Sequence, residues 1–539
     1  MNITSTPFSD LPFSRLFQDY TSNFSRLADF FDTNPFSELE TEKKINTYSF
    51  QGNRKESVGF LTEFNRLFDA QDEVYQSIKK LEDESSCTVV TGQQLTAYGG
   101  PLFTILKIIT TIHYASIWEK KYGRPFIPVF WLADEDHDFE EAAAIGLPEG
   151  DGIKKLSVGA DHSNYPRVSE IMLGDSFEIF RDKVKGYLTQ TDFSSQLWDI
   201  LDDSYQEGAT YSEAFGKLIL KMFGKFGLVL AGTNTNSSKK ILLEPLCLSI
   251  EKSSEAFEAL NKKSRELEDQ GYHKQVHVQS SNLFWIDDHG NREKITHSNQ
   301  SWYIEGKDIS WTGTELTHSI QQNPNRFSPN VFLRPITQNY LLPCIAYVAG
   351  PSELAYYGQM KEFYRVFNLD MPTLIPRYSA TIIESGIERI IDKLPFENHQ
   401  YNQRIEDLES AYIAKADTPD IESIYKNWKK SAEQCSVESK KAISKIDPTL
   451  EGSVERVINI FFNELDKLKG KTYRSVKEQE KTQIQRLRRI QSSLYPNGNL
   501  QEREVAFIYF MNKYGFDIWQ DILAELSEHT PQSHKWIHL

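Results

Sequence analysis

The stretch TVVTGQQLTAYGGPLFTILKIITTIHYASIWEKKYGRPFIPVFWLA, Thr88 to Ala133, decides the fold. It opens on a short β-branched run, Thr88-Val89-Val90, and passes directly into Thr91-Gly92-Gln93-Gln94. After the Gly99-Gly100-Pro101 turn, a helical pattern runs from about Leu102 to Lys121. Gly123-Arg124-Pro125 stops that helix, and Phe126 to Ala133 reads as a second buried strand. Strand, glycine loop, helix and strand make one βαβ unit, with parallel strands and a right-handed crossover.

The same pattern recurs further along. A helix over Tyr211–Phe223 leads through Gly224–Gly227 to a strand at Leu228–Gly232. A strand at Cys344–Ala349 meets Gly350-Pro351-Ser352-Glu353, then a helix over Leu354–Phe367 and a strand at Thr373–Arg377. Such alternation indicates an open α/β sheet of Rossmann type. The first ninety residues read as helical, with Phe13, Leu16, Phe17 and Tyr20, then Phe60, Phe64, Leu67 and Phe68, at helical spacing. Between about 270 and 330 the pattern turns short and alternating (Val276, Val278, Phe284, Ile286, Trp302, Ile304, Trp311), and His289-Gly290-Asn291 suits a hairpin. From 383 to 494 glycine and proline are sparse. Val454, Val457, Phe461, Leu465 and Leu468, then Ile484, Leu487, Ile490 and Leu494, are spaced by threes and fours. With an outgoing helix near 383–416, these runs predict an antiparallel coiled-coil hairpin. The expected fold is α/β: a Rossmann-like core (1–382) with an inserted β-rich segment (about 270–330), a coiled-coil domain (383–494), and a segment 495–539 that packs back on the core or a dimer interface.

Composition agrees with this division. At roughly 100–200 residues per domain, 539 residues bound the chain at about three to five domains. The 39% apolar content is lean, as expected where a coiled-coil seam needs few apolar residues per turn. With 60 Lys+Arg against 76 Asp+Glu, a net charge of −16 argues against a general nucleic-acid binder. The start MNITSTPFSD is no secretory signal, and the most apolar run, Pro101 to Trp118, is broken by Lys107 and His113, so no membrane span is expected. Cys87, Cys247, Cys344 and Cys435 form no CxxC pair and suit reduced cytoplasmic thiols.

Three motifs carry candidate chemistry. Thr91, Gly92, Gln93 and Gln94, with Gly99, Gly100 and Lys107, lie between a strand and a helix N-terminus, where backbone N–H groups favour anions. No GxGxxG or Walker A pattern is present, and Lys107 falls within an apolar stretch where a lysine ordinarily snorkels. Asp134-Glu135-Asp136-His137-Asp138 follows a strand directly, where open α/β sheets bind ligands. Four carboxylates and an imidazole so close together call for a cation such as Mg²⁺, a substrate amine or an arginine. Asp136 and His137 suit general-base work, with Glu135 and Asp138 beside them. The plain alternative is a solvated loop capping the next helix, and the spacing gives no zinc site. Arg334, Gln338 and Asn339 precede Gly350, Pro351, Ser352, Glu353, Tyr356 and Gln359, where a strand again ends in glycine before a helix. Arg334 and Arg377 are forks suited to carboxylate or phosphate, or else partners of core carboxylates. His113, His162, His534 and His538 stand isolated and carry no argument.

Together, TGQQ…GGPLFTILK, PVFWLADEDHDFEE, FLRPITQNYLLPCIAYVAGPSELAYYGQ, IPRYS and LYPNGNLQERE resemble the BshC family of bacillithiol biosynthesis over the whole length. The resemblance implies a cysteine ligase that joins the cysteine carboxyl to the amine of glucosaminyl-malate. It also implies a Rossmann-like core, a coiled-coil domain and a homodimer built through that coiled coil. Carboxyl activation then calls for ATP, with Mg²⁺ as its companion. Arg334, Arg377, Lys107 and the two glycine–helix turns are expected to bind the anionic substrates, and Asp136 or His137 to take the amine proton or ligate Mg²⁺. Two other readings stay open on sequence alone: a nucleotidyl- or glycosyl-transferring enzyme on the same core, although the HxGH pair of the former is missing, or a non-catalytic coiled-coil scaffold.

Overall fold

The computed structural model describes residues 1–539 except 151, 160–166, 234 and 416–419; His162 lies outside the described residues. The chain divides into two compact units, Met1–Glu149 with Ile153–Thr381 and Gln501–Ile537, and Gly150–Gly152 with Ile382–Leu500 and His538–Leu539.

The first unit is organised by five strands: β1 (Cys87–Gln93), β2 (Phe126–Leu132), β3 (Val229–Ala231), β4 (Cys344–Ala349) and β5 (Thr373–Pro376). They lie side by side in the order β5-β4-β1-β2-β3, parallel throughout. Every residue of β2 to β5 is buried, which is why these strands read as continuous apolar runs rather than alternating ones. The chain winds outward from β1 to β2 and β3 on one side, and later to β4 and β5 on the other. The order therefore reverses between β1 and β4, and ligands bind beyond the carboxyl ends of the strands at such a point.

Helix α1 (Leu102–Tyr122) connects β1 to β2 and buries Leu102, Ile105, Leu106, Ile108 and Ile109. Each such side chain contributes about 1.5–3 kcal/mol relative to exposure. Gly123, at φ 65°, ends it by taking the left-handed conformation, and its N–H reaches back to the Glu119 carbonyl. Helix α2 (Tyr211–Phe223) begins at a Thr210–Glu213 capping box and leads into β3. The single helix expected over Leu354–Phe367 is instead two, α3 (Pro351–Tyr357) and α4 (Lys361–Val366). Between them Gln359 N donates to Tyr356 O and Met360 N to Tyr357 O, three-residue turns that halt the helix. The β-rich segment is an antiparallel sheet of Leu283–Ile286, Arg292–Ser298, Ser301–Ile304, Ser310–Thr312 and Phe327–Pro329. Asp287 fastens the turn between its first two strands by accepting from His289 N and Asn291 N. Val276 stands outside the sheet, because its N–H goes to the Gln359 side chain.

Residues after Gln501 return to the first unit. Leu102 N donates to Val505 O at 2.9 Å and Phe507 N to Gly100 O at 3.3 Å. Near the chain end, Trp536 Nε1 donates to Thr6 Oγ1.

The second unit contains a hairpin of α5 (Ile421–Ser444) and α6 (Glu451–Gln479), followed by α7 (Lys481–Leu494). Tyr425 OH meets Thr472 Oγ1 at 2.7 Å, and Glu422 accepts from Lys469 and Tyr473 across the pair. The outgoing arm is thus α5, not 383–416 as the sequence suggested. Within 383–416 lie the short helices Ser385–Ile391 and Ile405–Lys415, both packed against α7. The seam of α5 is hard to see in sequence because its buried apolar residues, Ile421 and Tyr425, are few and lysines follow them closely. Val457, Ile460 and Phe461 on α6 remain exposed. Among the described residues, no helix is long and apolar enough to cross a membrane.

Candidate active site

A cavity of about 270 Å³ opens at the carboxyl ends of β1, β2 and β4, at the reversal point of the sheet. Gly92, Gln93 and Gln94 form its floor, with Trp131 and Ala133 from the end of β2. A Cβ at position 92 would lie 2.9 Å from the Trp131 carbonyl oxygen, so the close approach of β1 to β2 requires glycine there. Thr91 does not line the cavity; its hydroxyl donates to Val348 O at 2.9 Å and ties β1 to β4.

Phe103 and Lys107 enter from α1. Side chains on a helix lean toward its N-terminus, which carries Lys107 out of the apolar stretch toward the strand ends. Its Nζ donates to Gly92 O at 2.8 Å and Gln93 Oε1 at 3.2 Å, and pairs with Glu353 Oε2 at 2.6 Å. Glu353 also accepts from Gly350 N and Tyr347 OH, each at 2.7 Å. Burial alone would raise the Glu353 carboxyl, but Lys107 and these donors hold it below the ordinary carboxylate range. Gly350, Pro351, Ser352 and Tyr356 complete this wall.

Three arginines also line the cavity: Arg334, Arg377 and Arg503. Arg334 donates from Nη1 to Gln338 Oε1 at 3.0 Å and lies over the rings of Trp131 and Tyr347. Its buried Nη2 makes no hydrogen bond among the described residues, and the guanidinium also interacts with the Tyr356 hydroxyl on the same wall. The fork of Arg377 is committed elsewhere: Nη2 meets Glu502 Oε1 at 2.6 Å, and Nη1 meets Glu502 Oε2 at 3.0 Å and Tyr378 O at 2.8 Å. The terminal nitrogens of Arg377 are therefore not the free carboxylate clamp that residue type suggested. Glu353 offsets Lys107 and Glu502 offsets Arg377. Arg334 and the exposed Arg503 have no carboxylate partner among the described residues, so the cavity carries two uncompensated positive charges.

The other expected residues lie elsewhere. Gly99 and Gly100 have φ of 80° and 78°, and a Cβ on them would strike Phe507 and Thr96. The first free donor of α1, Leu102 N, is taken by Val505 O, so this turn is closed by protein rather than open to phosphate. Gln338 sits behind Arg334 and donates to Cys344 Sγ. Asn339 is buried away from the cavity lining. Gln359 bonds Ser264 and Val276 within the core.

None of the four candidate catalytic residues of the acidic loop lines the cavity. Glu135 is paired with Lys239 in a buried contact; burial raises its carboxyl, and Lys239 and Arg167 bring it below the ordinary range. Asp138 caps the short helix Phe139–Ala142 through Glu141 N. The ring nitrogens of His137 face two carbonyls, Glu135 O at 3.0 Å and Gly290 O at 3.2 Å, and burial with Arg292 nearby lowers its basicity. Asp136 alone reaches the cavity's edge, accepting from Gln94 Nε2 at 2.5 Å. Among the described residues, no group of three or more His, Cys, Asp or Glu side chains is placed to hold a metal ion.

Sequence reasoning missed Phe103, Trp131, Tyr347, Arg503 and, behind the wall, Glu502. Apolar strand and helix positions carry no mark of lining a site, whereas Glu502-Arg503 stood within the LQERE segment already singled out.

The model of the N-terminal Rossmann-like domain of bacillithiol biosynthesis BshC matches residues 1–378. The model of the BshC C-terminal coiled-coil domain matches 380–539. A relative from Salinibacter ruber is 31% identical over 96% of this chain and 95% of its own. One from Chlorobaculum tepidum is 29% identical over 98% and 97%, and one from Geobacillus sp. 29% over 87% and 88%. All three bear the name "Putative cysteine ligase BshC".

Proposed function

The chain belongs to the BshC family, and on that premise we propose that it is a cysteine ligase that joins the cysteine carboxyl to the amine of glucosaminyl-malate in the cavity at the β1–β4 reversal point. The observation that carries this reading is the surplus of two positive charges beside a buried, unpartnered guanidinium nitrogen on Arg334. A malate group brings two carboxylates. Arg334 lies over the Tyr347 and Trp131 rings and is braced by Gln338, so its Nη2 is held ready for one of them, and a planar fork prefers such a partner. At about 270 Å³ the cavity lies just under the roughly 300–1,000 Å³ of typical ligand pockets. It suits one anionic end of a substrate and leaves the remainder, including any nucleotide, to sit at its mouth.

A free carboxylate does not acylate an amine at neutral pH, so the cysteine carboxyl must first be activated, and ATP is the proposed activator. Among the described residues there is no cage for Mg²⁺. A Mg²⁺ ion arriving on nucleotide phosphates needs only one or two carboxylates, and Asp136 is the one available beside the cavity. The attacking amine must also lose a proton. Lys107 has spent its three N–H donors and Glu353 already accepts three hydrogen bonds, so neither serves as base as arranged. Asp136, one hydrogen bond from the cavity through Gln94, is the proposed base or Mg²⁺ contact. His137 is held by two carbonyls and is not. The exposed apolar residues of α6 support a homodimer through the coiled coil, and a cytoplasmic setting fits the thiol substrate.

The experiment is to mix full-length protein with cysteine, glucosaminyl-malate and ATP, with and without Mg²⁺, and seek the coupled thiol by mass spectrometry. Product that disappears in R334Q supports the reading. Folded protein that gives no product under any of these conditions removes it. A nucleotidylated substrate in place of the amide would favour a transferase.

A further inference from the structure

The sequence left His534 without a role and placed Glu502 in no site, yet both lie at the centre of a buried polar chain behind the cavity. Glu502 and His534 each have 0% exposure. The Glu502 carboxylate accepts four hydrogen bonds: two from Arg377, one from Ser379 Oγ at 3.0 Å and one from Ala380 N at 2.8 Å. Ser379 Oγ is also 2.8 Å from His534 Nδ1, and His534 Nε2 is 3.0 Å from Thr381 Oγ1.

The donors can be assigned from valence. A hydroxyl has one proton, and Ser379 gives it to Glu502, since the carboxylate can only accept. Ser379 must therefore accept from His534 Nδ1–H. The neutral ring then accepts at Nε2 from the Thr381 hydroxyl. Burial pushes the His534 ring down to about 4, in keeping with this neutral tautomer. The donations run in one direction, from Thr381 to His534 to Ser379 to Glu502, and Arg377, which lines the cavity, donates to Glu502 from the other side.

We propose that Glu502 is a positioning residue for the anion site, holding Arg377 in one orientation and cancelling its charge, while Ser379, His534 and Thr381 hold Glu502 in turn. With the fork taken, Arg377 keeps its Nε edge beside Gly350, where a Cβ would be 3.8 Å from it. Its guanidinium lies over Phe103. The cavity therefore has a fixed wall at Arg377 and its attracting charge at Arg334 and Arg503. The proposal rests on reading the cavity as the ligase site, and its test separates the two.

The test uses full-length protein, L-malate as the calorimetric probe, and phenylglyoxal modification of Arg377 followed by mass spectrometry. In E502Q the neutral amide no longer cancels the guanidinium. Malate then binds at least threefold tighter, and coupling slows about 10- to 100-fold because a displaced wall misorients the substrate. Arg377 is modified severalfold faster than in the parent. Tighter binding with slower turnover is not the signature of a merely damaged fold, which weakens both. S379A keeps every charge and cuts the chain at one hydroxyl; it raises Arg377 reactivity and slows coupling by less than E502Q while leaving malate affinity unchanged, and it decides the matter if E502Q does not fold. Folded E502Q, or failing that S379A, with unchanged Arg377 reactivity overturns the proposal. If the parent binds no malate but E502Q exposes Arg377, the ligase reading falls and the positioning role stands.

Discussion

Replacing Lys107 by methionine removes the buried cation and leaves Glu353 in place. The two charges are 2.6 Å apart, with side chains 5% and 20% exposed. At an effective dielectric of about 20, their attraction is about 6 kcal/mol. Losing the lysine also removes its own desolvation cost, so the expected net loss is about 3–5 kcal/mol, as for other buried pairs broken on one side. The pH dependence identifies the cause. In the parent the Glu353 carboxyl is held below its ordinary value, so its contribution is present above the unfolded pKa and lost as pH falls through the folded one. In K107M only the Gly350 and Tyr347 donors still oppose burial, and the carboxyl is expected to rise above the unfolded value. Its penalty is then absent below the unfolded pKa and grows as pH rises toward the folded one. K107M should thus recover part of its deficit on moving from neutral to mildly acid pH. The double variant K107M/E353Q should be more stable than K107M alone at neutral pH. Urea unfolding followed by tryptophan fluorescence is a suitable assay, because of the nine tryptophans only Trp428 lies outside the core unit. A K107M deficit under about 1 kcal/mol, or one that does not shrink in acid, would refute the reasoning.

Other expectations follow from the same geometry. G99A should lower the melting temperature sharply, since its Cβ would fall 2.2 Å from the Phe507 ring, whereas G123A, with open space around it, should cost only about 1–2 kcal/mol for the left-handed backbone; equal melting temperatures would contradict this. E135Q should cost about 3–5 kcal/mol by unpairing Lys239 yet leave coupling per folded molecule intact. D136N should leave unfolding nearly unchanged and slow coupling about 100-fold or more if Asp136 takes the amine proton; steady-state rates on melting-matched samples separate the two. V457D with F461D, both on the exposed face of α6, should bring sedimentation to the monomer value if the proposed coiled-coil homodimer forms there, and a dimer that persists in this variant would place the interface elsewhere.

The parts of this fold legible in sequence are those where local pattern and burial agree. β1, α1 and β2 follow from a glycine-punctuated apolar run. β3 follows from the helix and the Gly224–Gly227 stop before it, and the hairpin of the β-rich segment from His289-Gly290-Asn291. The outgoing arm of the coiled coil was not legible, because its seam is half aromatic and closely followed by lysines. For the site, the residues at strand ends were found and their division of labour was not. Asp134, Glu135, Asp136 and Asp138 look alike as letters. Distant partners sort them: Thr233 for Asp134, Lys239 for Glu135, Gln94 for Asp136, while Asp138 merely caps the next turn. Arg377 misled for the same reason, since its carboxylate partner is 125 residues away.

Residues after Gln501 supply Arg503 to the cavity, Glu502 behind it and Val505 to the start of α1. During synthesis a ribosome therefore releases the whole parallel sheet, and then the entire hairpin, before Glu502, Arg503 and Val505 exist. At about 5–20 residues per second even the last strand waits roughly 6–25 s for them. A nascent chain halted before Gln501 would carry Arg377 with no counter-charge and the turn at Gly99-Gly100 uncovered. The cavity is finished by residues that follow the whole hairpin, so truncation before Gln501 should open the cavity while every strand of the parallel sheet is still present.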